Sequence, residues 1–169
     1  RLGGIGDLES VNKIGSISKA HSARVRCGYS AASADWNDGL TDLKIAAGFS
    51  GPNLSAELIF AVLKDGTYRK YMETLRDRLA RTMTITETRL RNLGITPAIN
   101  PDAGLFLWCR LPDHMDAATL ARNALSDGVV LAPGNVFSIS QTAGNLMRFN
   151  VAQCQDERIF RVIERALEK

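Results

Sequence analysis

Lys19 is the side chain in this sequence best surrounded for work as a reactive amine. It stands in Gly15-Ser16-Ile17-Ser18-Lys19-Ala20-His21-Ser22-Ala23-Arg24-Val25-Arg26-Cys27-Gly28-Tyr29, after two serine hydroxyls and shortly before two guanidiniums. Hydroxyls and a guanidinium suit a phosphate, whose oxygens accept short charge-assisted hydrogen bonds. A lysine beside such a group forms a Schiff base with a carbonyl once its ammonium sheds a proton. Pyridoxal phosphate carries both the phosphate and the carbonyl. The residue types alone leave a plainer alternative open. The chain has 21 lysines and arginines, most of them necessarily solvated, and serine-lysine pairs are common in loops.

A second candidate lies in Met147-Arg148-Phe149-Asn150-Val151, where apolar residues alternate with polar ones. Strand side chains alternate faces, so Arg148 and Asn150 share the side opposite Met147, Phe149 and Val151. A guanidinium fixed on a strand suits a carboxylate, because its planar fork reaches both oxygens. Taken alone, the pattern fits an arginine on the solvent side of an edge sheet better.

Positioning these groups requires strands joined by loops. Val11 to Ile17 reads as a short strand and Val25–Ala32 as a second, which places Lys19 on the connection between them. Trp36, Leu40, Leu43 and Ala47 recur at helical spacing over residues 34–48. Phe49-Ser50-Gly51-Pro52 is a break and the best domain boundary in the chain, dividing it into 1–50 and 51–169. Asn53 or Ser55 then caps a helix to Lys64, closed by Gly66. A longer helix runs from about Tyr68 to Leu93. Its apolar face is Tyr68, Tyr71, Met72, Leu75, Leu79, Met83, Leu90 and Leu93, with Arg76, Asp77, Arg81 and Arg89 on a solvated side.

The remainder alternates strand and helix. Strands are expected at Ile95–Ile99, Gly104–Leu111, Val129–Ala132 and Leu146–Val151. Gly104–Leu111 is apolar on both faces until Arg110, as in a central strand packed on each side. Asp116 caps a helix through Leu125, with Gly128 beyond its end, and Asp156–Leu167 forms a closing helix. The fold class is therefore α/β or α+β.

Composition bounds the rest. The chain has 169 residues, 45% hydrophobic and 23% charged, as in a globular protein able to bury a core. Its formal net charge of +3 is slight and its arginines are scattered, which argues against a nucleic-acid surface. Cys27, Cys109 and Cys154 are odd in number, far apart and in apolar stretches. They read as buried reduced thiols of a cytoplasmic protein, and no spacing suits a metal. No apolar run reaches membrane length. The chain opens on Arg1 and a glycine-rich segment, Gly3-Gly4-Ile5-Gly6, so it reads as the C-terminal piece of something longer.

The motifs combine into a resemblance. Gly15-Ser16-Ile17-Ser18-Lys19 with Arg26-Cys27-Gly28-Tyr29 resembles the cofactor-lysine segment of fold-type I, class I/II aminotransferases. Pro101-Asp102-Ala103-Gly104-Leu105-Phe106-Leu107-Trp108 is similar to the family's Pro-x-Gly-Gly-x-Phe-x-Trp strand, with Ala103 in place of the first glycine. Leu131-Ala132-Pro133-Gly134-Asn135-Val136-Phe137 is similar to its Pro-Gly-x-x-Phe turn. The order and spacing of these segments and of Leu146–Ala152 agree, so the resemblance covers nearly the whole chain. Within the superfamily, the wording is most similar to the aminotransferase-like domain of MocR-type, GntR-family transcriptional regulators. Stand-alone aminotransferases of the 2-aminoadipate kind carry closely similar segments.

The resemblance implies roles. Lys19 would be the catalytic lysine that holds pyridoxal 5'-phosphate; Ser16, Arg26 and, as a neighbour, Ser18 would bind the cofactor. Arg24 does not match the phosphate arginine. Arg148 matches the arginine that binds a substrate's α-carboxylate. No metal is implied. Residues 1–50 would be a remnant of the large cofactor-binding domain; residues 51–169 would hold interdomain helices and the complete small C-terminal domain. The parent would be a cytoplasmic homodimer. As a regulator it would sense an amino acid or amine as an external aldimine and reach DNA only through a domain outside this chain. As an enzyme it would transfer an amino group to a 2-oxo acid; a lyase of the same fold is a third possibility. The family's ring-stacking residue, its aspartate for the pyridine nitrogen and its glycine-rich phosphate loop all precede the lysine. The chain alone is therefore expected to bind the cofactor poorly and to lack transaminase activity.

Overall fold

A computed structural model of the chain describes residues 11–17, 24, 26–49 and 53–167. Contacts divide it into two compact units, Arg1–Met72 and Glu73–Lys169, each described on its own.

In the first unit, β1 (Lys13–Ser16) and β2 (Gly28–Ala31) form an antiparallel hairpin with Ser16 opposite Gly28 and Gly15 opposite Tyr29. The Ile17 N–H donates to the Cys27 carbonyl at 3.1 Å, adding one rung beyond the strands. The second strand begins at Gly28 rather than Val25. Arg26 has φ of 50°, a left-handed backbone incompatible with a strand ladder. Helix α1 (Ala34–Gly48) follows, its first turn tied back by Asn37 Nδ2 donating to the Ala32 carbonyl at 3.1 Å. The helix has the expected span, but its expected apolar face enters no core. No residue of α1 is buried among the described residues, and Trp36 and Leu43 are more than half exposed. Helix α2 (Asn53–Lys64) buries Ile59 and leaves Leu54, Leu58 and Phe60 exposed.

Helix α3 (Thr67–Asn92) runs from the first unit into the second. There it packs on an antiparallel sheet of order β3-β4-β6-β5, made from β3 (Thr96–Ile99), β4 (Phe106–Arg110), β5 (Ala132–Pro133) and β6 (Leu146–Asn150). Helices α4 (Ala117–Ser126) and α5 (Glu157–Leu167) complete the unit. Its core joins Leu90, Ile95, Leu107, Cys109, Leu111, Leu120, Met147, Phe149, Val151 and Ile163. Each of these apolar side chains adds on the order of 1.5–3 kcal/mol when fully removed from water. The expected strand periodicity is met: Met147, Phe149 and Val151 are buried, while Arg148 and Asn150 are half-buried on the other face.

Three expectations are corrected. The strand expected over Val129–Ala132 shrinks to Ala132–Pro133, because the Val129 N–H is spent on the Ala124 carbonyl, closing α4 after Gly128 (φ 73°). Strand β4 lies between β3 and β6, but only its Leu107 and Cys109 face is packed; Phe106 is 38% exposed and Trp108 half-buried. The face of α3 that enters the core includes Thr82 and Thr86, beyond the apolar residues expected there. Thr82 Oγ1 donates to the Arg78 carbonyl at 2.9 Å, which is what permits burial.

Asp116 caps α4 as expected, its carboxylate accepting from the Thr119 N–H at 2.8 Å. Arg89, expected on a solvated face, instead donates from Nη1 to Glu157 Oε1 at 2.8 Å, with its Cζ 3.8 Å from the Phe160 ring centroid. Cys109 and Cys154 are buried thiols, whereas Cys27 is half-buried; all three are free. No helix among the described residues is long and apolar enough to cross a membrane. No group of His, Cys, Asp and Glu among them could hold a metal ion.

Candidate functional site

The sequence points to two clusters, and the structure places them in different units. In the first, Ser16 is the last residue of β1 and Arg26 lies two positions before Gly28, Ser16's partner in the ladder. A hydroxyl and a guanidinium thus stand at the same end of one hairpin, both exposed. Arg26 holds a left-handed backbone without being glycine, which costs roughly 1–2 kcal/mol. Such strain is typical of positions where the surrounding fold dictates a side chain's direction. At the opposite rung, Gly15 lies so close to Tyr29 that an added Cβ would sit 2.3 Å from the ring. Ser18 and Lys19 lie outside the described residues.

The donors present suit the phosphate of pyridoxal phosphate: one neutral and one cationic group, with no carboxylate beside them in the hairpin to repel an anion.

In the second unit, Arg148 sits at the centre of β6, directly opposite Trp108 on one side and Ala132 on the other. Both neighbours bring an aromatic ring to it. Phe106, on β4, places its ring centroid 4.3 Å from the guanidinium carbon. Phe137 ends the 3-10 turn Gly134–Phe137 that follows β5, and its centroid is 4.0 Å away. Trp108 meets Phe137 edge-on, with centroids 6.0 Å apart and planes at 81°. Among the described residues no carboxylate pairs with Arg148 and no hydrogen bond engages its guanidinium. A half-buried guanidinium beside two rings, with no counter-ion among the described residues, keeps its N–H donors available to an anion. Asn150, on the same face, is already committed: its Oδ1 accepts from the Ala152 N–H at 3.1 Å.

The turn that delivers Phe137 is tightly held. Asn135 Oδ1 accepts from the Ala143 N–H at 2.9 Å, and Gln141 Nε2 donates to the Asn135 carbonyl at 3.0 Å. Sequence reasoning found Arg148 but not the two phenylalanines around it. Their signal was available for Phe106, which a pairing register of β4 on β6 puts diagonal to Arg148. Phe137 comes from a turn, and no periodicity gives a turn residue's direction.

Cys109 and Cys154 take no part in this chemistry. Burial pushes the Cys109 thiol up to about 12 and the Cys154 thiol up to about 11, which keeps both protonated and inert.

Comparison with known proteins gives the family. The family model that matches is aminotransferase class I and II, over residues 7–165. The uncharacterized HTH-type transcriptional regulator YdcR of Escherichia coli is 36% identical over 93 residues, covering 54% of this chain and 20% of its own length. The 2-aminoadipate transaminase of Thermus thermophilus is 26% identical over 155 residues, covering 90% of this chain and 38% of its own. Among solved structures, LysN, the α-aminoadipate aminotransferase of Thermus thermophilus complexed with N-(5'-phosphopyridoxyl)-L-leucine, superposes with a TM-score of 0.79 at 26% identity, over 95% of this chain and 42% of that one. The aromatic aminotransferase of Pyrococcus horikoshii shares the fold, with a TM-score of 0.83 at 20% identity over 96% of this chain and 44% of that one. The chain thus spans less than half the length of these relatives. With the family's pattern running through both the hairpin and the Arg148 strand, the chain belongs to the class I and II aminotransferases.

Proposed function

We propose that this chain is part of the aminotransferase-like, effector-sensing domain of a GntR/MocR-type transcriptional regulator that binds an amino acid or amine through pyridoxal phosphate. The observation that carries the reading is Arg148, a guanidinium held on a sheet face between two rings with no carboxylate of its own among the described residues. It is the receptor for the ligand's α-carboxylate. Ser16 and Arg26, with Ser18 as their neighbour in the sequence, hold the cofactor phosphate, and Lys19 is the amine for the cofactor's carbonyl. When bound, pyridoxal phosphate supplies that carbonyl and a ring that draws electrons from the α-carbon. Lys19 Nζ then carries the proton to and from that carbon. Residues 1–50 belong to the cofactor-binding domain and 51–169 to the interdomain helices and the small domain. The whole protein is a cytoplasmic homodimer that reaches DNA through another domain.

The regulator reading is supported by the likeness to YdcR, the more identical of the two curated relatives described. A metabolic transaminase of the 2-aminoadipate type is the second reading, favoured by a match over 90% of this chain. The whole protein separates them. Loaded with pyridoxal phosphate and given L-2-aminoadipate, L-leucine or another amino acid, a regulator changes its visible absorbance without releasing a 2-oxo acid. Turnover at an enzyme's rate, about 1 per second or more, replaces this reading with the transaminase one. No absorbance change with any amino acid, or an unaltered response in Lys19→Ala, removes both. The chain of 169 residues alone is expected to give no stoichiometric visible band with the cofactor.

A further inference from the structure

We infer that Phe106 and Phe137 are positioning residues which clamp the Arg148 guanidinium, so that its fork prefers a planar carboxylate over a tetrahedral anion of the same charge. This rests on the reading of Arg148 as a carboxylate receptor and adds what sets its selectivity.

An arginine side chain has several soft torsions, and an unpaired one on a sheet surface would sample many orientations. Here the neighbours restrict it from both sides of its strand. Phe106 comes from β4 and Phe137 from the turn after β5, and their centroids lie 4.3 and 4.0 Å from the guanidinium carbon. Both distances are well inside the range of strong cation–π attraction. The rings hold the guanidinium by its π contacts and offer it no acceptor, so its N–H donors remain for a ligand.

Phe137 is itself held. Trp108 meets it edge-on, and Gly134, at the start of its turn, approaches the Ala143 and Leu146 carbonyls so closely that a Cβ there would fall 2.4 and 2.7 Å from them. The clamp is therefore built into the backbone rather than formed by loose side chains. A fork held in one orientation rewards a partner that presents two coplanar oxygens, and rewards less a tetrahedral group of equal charge.

The test uses the 169-residue chain with 15N-labelled arginine, following the Arg148 Nε–H signal, assigned by its loss in Arg148→Lys. Acetate and methanesulfonate are the probes, one planar and one tetrahedral, each titrated at constant ionic strength. In the wild type, acetate is expected to bind several-fold more tightly than methanesulfonate. In Phe137→Leu and Phe106→Leu, acetate affinity is expected to fall roughly tenfold and the preference to approach one, while Phe137→Tyr restores it. Loss of packing alone would weaken both probes together and leave their ratio unchanged. A ratio unchanged in both leucine variants overturns the clamp and leaves Arg148 as a receptor. No response to acetate in the wild type overturns the receptor reading and the clamp with it. Each variant is first checked for a wild-type unfolding transition. If Phe137→Leu fails to fold, Phe106→Leu decides, since Phe106 is 38% exposed and outside the core.

Discussion

Substituting Gly134 by alanine tests how the turn before Phe137 is held. An added Cβ would lie 2.4 Å from the Ala143 carbonyl oxygen, 2.7 Å from that of Leu146 and 3.0 Å from the Ala143 Cβ. The first distance is about 1 Å short of an ordinary contact. Relief requires moving the 143–146 backbone, which is fastened at several points. Ala143 N–H donates to Asn135 Oδ1 at 2.9 Å, Ala117 N–H to the Gly144 carbonyl at 2.8 Å, and Leu111 N–H to the Asn145 carbonyl at 2.9 Å. Losing two such bonds costs about 2 kcal/mol, and overpacking a tight site costs about 1–3 kcal/mol. The chain entropy removed by alanine returns at most about 1 kcal/mol. Gly134→Ala should therefore destabilise the second unit by about 2–4 kcal/mol. Gly144 is the control. A Cβ there meets nothing nearer than Asn135 Nδ2 at 3.8 Å, so Gly144→Ala should stay within about 1 kcal/mol of wild type. Urea unfolding followed by Trp108 fluorescence, in a Trp36→Phe background, reads the second unit. A loss below about 0.5 kcal/mol in Gly134→Ala would show that the loop yields, and would refute the argument.

Further substitutions and titrations probe other contacts. With Ellman's reagent, Cys27 should react in the native chain, while Cys109 and Cys154, pushed up to about 12 and about 11 by burial, should react only on unfolding; three equally fast thiols would contradict this. Asp116→Ala removes the acceptor for the Thr119 N–H and should cost about 1 kcal/mol in chemical denaturation, with Asp116→Asn recovering most of it. The Arg89 guanidinium, hydrogen-bonded to Glu157, holds that carboxyl below its ordinary 4.5. A depressed acid stabilises the fold fully above its unfolded value, and that contribution is lost as pH falls through the folded one. The stability gap between wild type and Glu157→Gln should therefore be widest near neutrality and close as pH drops below about 4.5; a gap independent of pH would sink the assignment.

How much of this was legible without coordinates can be followed residue by residue. The extents of α1, α2 and α3 follow from local signals, namely the Phe49–Pro52 break, the glycines past helix ends and the apolar spacing. Helix hydrogen bonding is local, so local signals suffice. The alternation in Met147–Val151 likewise determined which side chains enter the core, since a strand offers only two faces. The motif around Lys19, with Ser16, Arg26 and Arg148, was enough to indicate the family, because a run of residue types at fixed spacing is legible without coordinates. What tertiary structure decided were matters of partnership. Val129 was apolar enough for a strand, but its N–H went to the end of α4. Thr82 and Thr86 were polar by type and buried by placement. Arg89 found Glu157 and Phe160, residues far along the chain whose approach only the packing of α5 on α3 brings about. The same holds for the rings around Arg148. A strand pattern can say that an arginine leaves the core side of a sheet; which rings it meets depends on the neighbouring strands and on a turn held by contacts distant in sequence.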